Sequence, residues 1–272
     1  MATPPAWPAG SFFWSDARGW RTVGEARHLS GRCDRMITST YAERVTASLP
    51  GIRDRISAAA ERSGRGSGEI TLVAVTKAHP IEAVEAALSH GLFDLGENRT
   101  EELARKRAAV QDGRVRWHMI GHIQRRKAPG LVGGADLVHS IDSIRLAERL
   151  SRVALEADAT VPVLVQVNTS GEESKSGFQG PGLKDDVTTV LSFSGLEVRG
   201  LMTMAPFTSD EVSLRSTFQG VRVLHEELRA VEGYRGEHLS MGMTNDFEIA
   251  IEEGSTMIRI GTALFGKRMD HD

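Results

Sequence analysis

The sequence has 272 residues, of which 40% are hydrophobic and 6% aromatic, and 33 basic and 36 acidic side chains give a formal net charge of -3. This composition is that of an ordinary globular protein without the basic excess of a nucleic-acid-binding protein, and no apolar run approaches the roughly 20 residues of a membrane helix. We therefore expect a small-molecule ligand, with no nucleic acid and no membrane, and one large domain, since α/β barrels routinely reach this length.

The first 35 residues differ from the rest. They contain three prolines within eight residues and scattered aromatic side chains without periodicity, and they lack the apolar core of a secretory signal. We predict a disordered or loosely docked extension over 1–35 and a folded domain over 36–272. Met36 directly precedes the first helical pattern, which makes it an alternative start of the native protein.

The only cysteine, Cys33, has no partner for an intramolecular disulfide, which suits a reducing compartment such as the cytoplasm.

From Tyr41 onwards, helical and strand patterns alternate. The first helix shows apolar residues at three- and four-residue steps and ends near Gly64. Short runs rich in β-branched residues, typical of strands covered on both faces, predict eight strands: 70–75, 93–95, 116–120, 137–139, 161–167, 198–203, 238–241 and 257–260. Further helices are predicted at 81–89, from 101, near 125, and at 143–158, 212–231 and 246–253. This alternation predicts the α/β class and a single-domain (β/α)8 barrel of the TIM type, rather than an open doubly wound sheet.

Polar and glycine-rich segments follow the predicted strands. In a (β/α)8 barrel the active face is built where strands end, so these segments should share one rim. The segments are as follows: Lys77 after strand one, GEN with Asn98 after strand two, SGEESKSGF with Lys175 after strand five, SMGM with Ser240 and Gly242 at strand seven, and RIGT with Arg259, Gly261 and Thr262 at strand eight.

The segments SMGM and RIGT predict a phosphate site. Free backbone N–H groups and the positive end of a helix dipole attract an anion, and Gly242 and Gly261 let the backbone come close. Ser240 and Thr262 add hydroxyl donors. The alternative is that both glycines only make tight turns, but their place at strands seven and eight, where such barrels commonly hold a phosphate, favours the site.

Lys77 ends the apolar run of LVAVTK. A solvated surface lysine and a salt bridge to a neighbouring strand are the simpler interpretations. A lysine that faces a phosphate site across the barrel mouth, however, has the arrangement needed for a Schiff base with a phosphorylated aldehyde. Pyridoxal 5'-phosphate (PLP) is the aldehyde that fits best, and a sugar phosphate handled by a barrel enzyme is another class.

The sequence resembles the pyridoxal phosphate homeostasis protein family over residues 41–267, in the segments LVAVTK, GEN, WHMIGHIQRRK, HSIDS, VLVQVNTSGEESKSGF, GLMTMAP and LSMGMTNDFEIAIEEGSTMIRIGTALFG. The resemblance implies a barrel like the N-terminal domain of alanine racemase (PLP fold type III), with PLP as a Schiff base on Lys77. It also implies that Arg259 lies near the pyridine nitrogen and Asn98 beside the cofactor ring. Phosphate contacts are implied for Ser240, Gly261 and Thr262. The family often has a tyrosine after GEN, where this sequence has Arg99, so a shielding role of that tyrosine is in doubt here.

Two features favour a carrier of PLP over a catalyst. Racemisation needs acid/base groups on both faces of the substrate carbon, and the only tyrosines, Tyr41 and Tyr234, lie outside the rim segments. An arginine at the pyridine nitrogen stays protonated, which leaves the ring nitrogen neutral and a poor electron sink. We therefore expect a PLP homeostasis protein that holds PLP releasably on Lys77, without strong catalytic activity and without an assigned catalytic residue.

Several alternatives stay open beside the carrier. One alternative is a PLP-dependent racemase-like enzyme of low activity, in which His118, His122 or water is the second acid/base group. Lys175 either belongs to a solvated loop or makes a transient second contact that assists release of PLP. Apo-forms of PLP-dependent enzymes are the expected recipients. We expect a monomer, because no residues remain for the second domain through which the racemase dimerises, and we expect no metal.

Overall fold

The computed structural model describes residues 39–172 and 175–267. The predicted extension over 1–35, Cys33 and Met36 lie outside these described residues. The described part forms a closed barrel of eight parallel strands in sequence order, which confirms the predicted (β/α)8 fold. The strands are β1 Thr71–Val75, β2 Asp94–Glu97, β3 Arg116–Met119, β4 Leu137–Ile141, β5 Val161–Gln166, β6 Leu196–Met202, β7 His238–Met243 and β8 Met257–Ile260.

Helices surround the barrel and alternate with its strands. The α-helices are α1 Tyr41–Arg62, α2 Ile81–Ser89, α3 Thr100–Ala109, α4 Ile144–Glu156, α5 Leu183–Leu191, α6 Glu211–Leu228, α7 Phe247–Glu252 and α8 Thr262–Phe265. Short 3-10 helices cover Ser67–Glu69 and Arg125–Leu131, and the second of these replaces the α-helix predicted near residue 125. Proline at position 129 removes a backbone donor there.

The prediction missed α5 and α8. The α5 sequence LKDDVTTVL is rich in β-branched residues, which are weak helix formers, and only Val187 and Val190 of this helix are buried. α8 has four residues, too few for any periodicity. The other helices were predicted to within a few residues, and β8 has the predicted bounds.

Local sequence signals explain where the long helices begin. Thr40 accepts a hydrogen bond from the Glu43 backbone N–H, and the Glu43 carboxylate accepts one from the Thr40 backbone N–H, so a capping box starts α1. Asp210 caps α6 through two backbone N–H groups. The buried face of α1 carries the residues that predicted it, among them Val45, Leu49, Ile52 and Ile56.

The core has two parts. The larger part lies between the outer faces of the strands and the buried faces of the helices. A separate cluster of Leu137, Leu164, Met202 and Met257 belongs to strand positions that point into the barrel. The β1–β8 pairing, with Thr71 opposite Met257, closes the sheet. Barrel interiors are usually filled by branched apolar residues. This interior also contains several buried polar side chains: Asp94, His118, His139, Ser240 and Arg259.

The described ranges contain neither a membrane-spanning helix nor a group of metal ligands. No helix there is long and apolar enough to cross a bilayer. No group of three or more His, Cys, Asp or Glu side chains in the same ranges is placed to hold a metal ion.

Candidate functional site

A cavity of about 790 Å³, here called the main cavity, opens at the carboxyl ends of the strands. Seven of the eight strands, all but β4, contribute residues to its wall, either from their own ends or from the segments that follow them. Five of the seven predicted site residues line it: Lys77, Asn98, Arg259, Gly261 and Thr262. Ser240 and Gly242 do not line it, and their surroundings give them other roles.

Lys77 lies two residues beyond the end of β1, and its backbone is held by a buried cluster. Lys106 of α3, which is 2% exposed, donates from Nζ to the Thr76 carbonyl at 2.7 Å, to Glu97 Oε1 at 2.7 Å and to Glu102 Oε1 at 2.9 Å. All three ammonium donors are therefore used. We call Lys106, Glu97 and Glu102 the Lys106 cluster; it fixes the peptide directly before Lys77.

The peptide after Lys77 is held by the same cluster. The backbone N–H of Ala78 donates to Glu102 Oε1 at 2.9 Å. Ala78 has a φ of 57°, a left-handed conformation that is unfavourable for an L residue, and such a conformation persists only when its surroundings impose it. The backbone N–H of His79 closes the turn on the Thr76 carbonyl at 3.0 Å. Lys77 thus leaves the barrel wall from a turn that is constrained on both sides.

Glu97 has an unusual environment for a carboxyl group. It is fully buried at the end of β2 and accepts hydrogen bonds at Oε1 from Lys106 and from the Thr76 hydroxyl, at 2.7 and 2.6 Å. Its second oxygen, Oε2, is buried without a hydrogen-bond partner. Burial raises the pKa of Glu97, and the bond from Lys106 offsets only part of that rise.

Arg259 provides a buried positive charge in the main cavity. It is 4% exposed, and its Nη1 donates to the Ser240 carbonyl at 2.8 Å and to Ser240 Oγ at 2.6 Å. Nη2 donates to the Thr203 carbonyl at 2.9 Å. Burial lowers the pKa of Arg259 to about 10, which is still far above neutral pH, so the guanidinium remains charged.

Ser240 and Gly242 lie behind the cavity wall. Ser240 is fully buried, and its Oγ contacts Arg259 and, at 2.9 Å, His139 Nδ1 across the barrel. Gly242 has a φ of 95°, and a Cβ at this position would lie 2.7 Å from the Ala250 Cβ on α7. Glycine is therefore required at 242 by the packing of α7 on β7.

The turn after β7 supplies further cavity residues. Thr244 and Asp246 line the main cavity. The Asp246 carboxylate accepts from the Met243 backbone N–H at 2.5 Å and thereby holds this turn. Burial raises the pKa of Asp246, although that hydrogen bond and the charge of Arg259 lower it in part.

The cavity residues that were not among the predicted site residues include Gln166, His79 and Lys175. Gln166, the last residue of β5, lines the cavity and donates from Nε2 to the Ser176 carbonyl at 2.8 Å; it is the only polar residue of the apolar run VPVLVQV, a signal that could have identified it. His79, in the loop after β1, carried no sequence signal for the site; it is 5% exposed, lines the cavity and contacts the Tyr41 hydroxyl. Lys175, for which two interpretations were open, lines the cavity and donates to the Ala205 carbonyl at 2.5 Å.

Arg99 and His122 lie at the edges of the site. Arg99 lines a second groove of about 550 Å³, which shares Lys77 and Asn98 with the main cavity. His122 lines the main cavity, with its side chain 65% exposed, and its Nδ1 lies 2.8 Å from Asp142 Oδ2. His118, the other histidine considered as an acid/base group, does not line the cavity.

Comparisons with known proteins find relatives that cover most of this chain. A family model described as "Alanine racemase, N-terminal domain" matches residues 16–269. A pyridoxal phosphate homeostasis protein of Aquifex aeolicus (strain VF5) is 39% identical over 220 residues, which cover 81% of this chain and 96% of that protein. The protein of that name from Escherichia coli (strain K12) is 36% identical over 234 residues, covering 82% of this chain and 97% of the relative.

Solved structures extend the comparison to the fold. PipY of Synechococcus elongatus PCC7942, in a structure described as having PLP bound, superposes with a TM-score of 0.70 at 32% identity and covers 83% of this chain and 100% of that chain. An alanine racemase of Clostridium difficile 630 gives a TM-score of 0.65 at 16% identity, with 83% of this chain and 58% of that chain covered. The second similarity shows a shared barrel fold.

Proposed function

The chain belongs to the family of the pyridoxal phosphate homeostasis proteins, and from this premise we propose that it holds PLP through a reversible covalent bond to the Lys77 amine. In this function the protein keeps the free, reactive aldehyde at a low concentration and returns PLP when it is needed. The observation that carries the proposal is that Lys77 and the buried guanidinium of Arg259 line the same main cavity.

The residues of the main cavity fit PLP in size and in chemistry. The volume of the main cavity, about 790 Å³, is within the range usual for small-molecule sites. Gly261 and Thr262 form the start of α8 in the cavity wall, where backbone N–H groups without helical partners suit a phosphate. In this proposal Lys77 binds the aldehyde, Gly261 and Thr262 bind the phosphate, and Asn98 lies beside the ring.

The position of Arg259 favours a protein that retains PLP over one that uses PLP in catalysis. Bound PLP supplies an aldehyde that captures amines and, in enzymes, a ring that withdraws electrons. The guanidinium has donors only, so it can hydrogen-bond the pyridine nitrogen but does not protonate it. Because Ser240 and Thr203 hold this guanidinium in place, the ring nitrogen would stay neutral and carbanion chemistry would be weak.

The cellular setting is part of the proposal. Apo-forms of PLP-dependent enzymes are the recipients that this function requires. The single cysteine of the sequence, Cys33, suits the reducing cytoplasm. A monomer is sufficient, since every residue assigned to PLP comes from one chain.

A second candidate function is a racemase-like enzyme of low activity. It is favoured by the pair of His122 and Asp142, because a histidine oriented by a carboxylate at the mouth of the main cavity is a general acid/base arrangement. Exchange of amino-acid α-protons in deuterated water distinguishes the two functions. Exchange above the background of free PLP that disappears in both Lys77→Ala and His122→Asn would support the enzyme and contradict the carrier.

The test of the proposed function is chemical trapping on purified protein loaded with PLP. Borohydride reduction followed by peptide mapping should place the pyridoxyl label on the peptide that contains Lys77. Lys77→Ala should remove both the label and the visible absorbance, whereas Lys184→Ala, which changes an exposed lysine on α5, should keep both. A label elsewhere in the wild-type protein would contradict the assignment of Lys77.

A further inference from the structure

The barrel interior contains a continuous chain of hydrogen bonds that ends at Arg259. We call it the interior chain. Its separations are 2.6 Å from Arg259 Nη1 to Ser240 Oγ, 2.9 Å from Ser240 Oγ to His139 Nδ1, 2.9 Å from His139 Nε2 to His118 Nδ1, and 3.0 Å from His118 Nε2 to Asp94 Oδ1. The step from Ser240 to His139 joins β7 to β4, two strands that are not neighbours in the sheet, so the chain crosses the barrel.

The interior chain is buried along its length. His118, His139, Ser240 and Arg259 are each at most 4% exposed, and Asp94 is 8% exposed. Buried polar and charged groups are costly unless they are hydrogen-bonded, and apolar side chains would fill the same space without that cost. Five such residues in one barrel therefore call for a role beyond packing.

Only one direction of hydrogen bonding satisfies every member of the chain. Arg259 can only donate, so Ser240 Oγ accepts from it and must direct its own proton to His139 Nδ1. His139 then carries its proton on Nε2 and donates to His118 Nδ1. His118 likewise carries its proton on Nε2 and donates to Asp94, which accepts.

Two electrostatic features support this direction. Burial is the main cause that holds the pKa of His139 well below its usual value, and the charge of Arg259 lowers it further, so this imidazole is neutral. Burial alone would raise the pKa of Asp94, but hydrogen bonds from His118 and Arg116 lower it overall, so this carboxylate is ionised. An ionised carboxylate can only accept, which fixes the far end of the chain.

We propose that Asp94, His118 and His139 are positioning residues for the cofactor site: they fix the hydrogen-bond direction of the interior chain so that Ser240 Oγ always offers a lone pair to Arg259. This inference rests on the proposed function, because its consequence concerns how Arg259 meets the ring of PLP. Asp94 polarises the chain, and successive hydrogen bonds that point the same way strengthen one another. Arg259 is thereby held against Ser240.

The chain also links the two ends of the barrel. Asp94 and Arg116 line a groove of about 460 Å³ at the amino ends of β1, β2 and β3, opposite the main cavity. Arg116 contacts both Asp94 oxygens, at 2.7 and 2.5 Å, and keeps the carboxylate ionised from the solvent side. The orientation of Arg259 thus depends on a charge at the opposite end of the molecule.

The first test measures histidine tautomers and needs no cofactor. Two-bond ¹H–¹⁵N correlation spectra of ¹⁵N-labelled apo-protein at neutral pH distinguish the Nδ1–H, Nε2–H and doubly protonated forms. We expect His118 and His139 both to be Nε2–H tautomers. An Nδ1–H tautomer at His139 would reverse the Ser240 bond and overturn the proposal, whether or not the protein binds PLP.

The second test asks whether the chain acts through Arg259. His118→Phe keeps the ring and removes both nitrogens, and we expect it to weaken PLP binding about tenfold, the loss usual for one buried hydrogen bond, and to shift the absorbance of bound PLP. In an Arg259→Gln background the same substitution should have little further effect on binding, because the residue that it positions is gone. Equal effects in both backgrounds would indicate a general structural role and would overturn the proposal.

A matched control is available on an outer helix. His225 of α6 is hydrogen-bonded to Tyr234 at 2.6 Å and belongs to neither the interior chain nor the main cavity. His225→Gln should leave PLP affinity and the absorbance unchanged. Failure of the wild-type protein to bind PLP would contradict the proposed function alone, since the tautomer measurement still decides the direction of the chain.

Discussion

Replacing Lys106 by methionine is the most informative test of how the turn at Lys77 is maintained. Methionine matches the length of the lysine stem but removes the ammonium, and with it three hydrogen bonds of 2.7, 2.7 and 2.9 Å. The substitution leaves the carboxyl group of Glu97 fully buried, with its remaining bond from the Thr76 hydroxyl and no counter-charge.

The size of the effect follows from this burial. Removal of one partner from a buried ion pair typically costs about 3–5 kcal/mol, because an uncompensated charge remains in the interior. Protonation of Glu97 limits the loss, since its pKa is already raised and rises further without Lys106. We therefore expect the free energy of unfolding of Lys106→Met to fall by about 3 kcal/mol at neutral pH, at the lower end of that range.

The pH dependence has a definite sign. A carboxyl group whose pKa is higher in the folded state binds more protons when folded, so its contribution to stability rises as the pH falls. Because the substitution raises the pKa of Glu97 further, the difference between variant and wild type should shrink between neutral pH and about pH 5. Urea denaturation followed by circular dichroism at both pH values measures this difference.

Two controls make this test specific. The double variant Glu97→Gln with Lys106→Met removes the charge as well as its partner and should recover more than half of the lost stability. Lys184→Met removes an exposed lysine whose partner Glu227 lies at 3.8 Å, and it should cost less than about 0.5 kcal/mol. A loss at Lys106 that is equally small, or one that does not change with pH, would refute the reasoning.

Three further predictions concern other parts of the barrel. Gly242→Ala should lower the free energy of unfolding by more than about 1 kcal/mol, because its Cβ would lie 2.7 Å from that of Ala250 at a φ of 95°; an unchanged urea midpoint would contradict the packing role. Lys175→Ala should slow the transfer of PLP to an apo-enzyme about tenfold if this second cavity amine assists release, and an unchanged rate would leave it a loop residue. Arg215→Gln, on the surface between three glutamates, should cost at most about 1 kcal/mol in urea denaturation, and less in high salt; a larger, salt-independent loss would contradict this.

Periodicity predicted the barrel because each strand is covered on both faces. The apolar run VPVLVQV and the matching bounds of β8 show how strong that signal is. The prediction failed where the signal was weak: α5 buries only two valines in a β-branched segment, and the segment near Arg125 forms a 3-10 helix that contains a proline. In α5, packing of the two valines against the barrel outweighs the weak local preference for a helix, whereas near Arg125 the proline is itself a local reason for the shorter 3-10 conformation.

The site was predictable in its location and less so in its detail. The rule that strand ends meet at one rim brought Lys77, Asn98 and Arg259 to the same cavity. The rule gives no side-chain direction: the phosphate contact of Ser240 stays a prediction, and in the structure its hydroxyl lies within hydrogen-bonding distance of His139 and Arg259. Nor could a linear sequence reveal Lys106, because that lysine acts on the turn at Lys77 from α3, through a hydrogen bond to the Thr76 carbonyl.

The two buried polar systems act on different parts of the same proposed function. The Lys106 cluster constrains the backbone on both sides of Lys77 and so determines where the amine begins, while the interior chain determines how Arg259 is presented. A carrier needs both groups to be fixed and needs no group that moves a proton to the substrate carbon. The described tyrosines agree with that requirement, because Tyr41 contacts His79 and Tyr234 contacts His225, and neither lines the main cavity. Substitutions in the Lys106 cluster should therefore change how readily the covalent bond to Lys77 forms, whereas substitutions in the interior chain should weaken PLP binding through Arg259 and shift the absorbance of the bound cofactor.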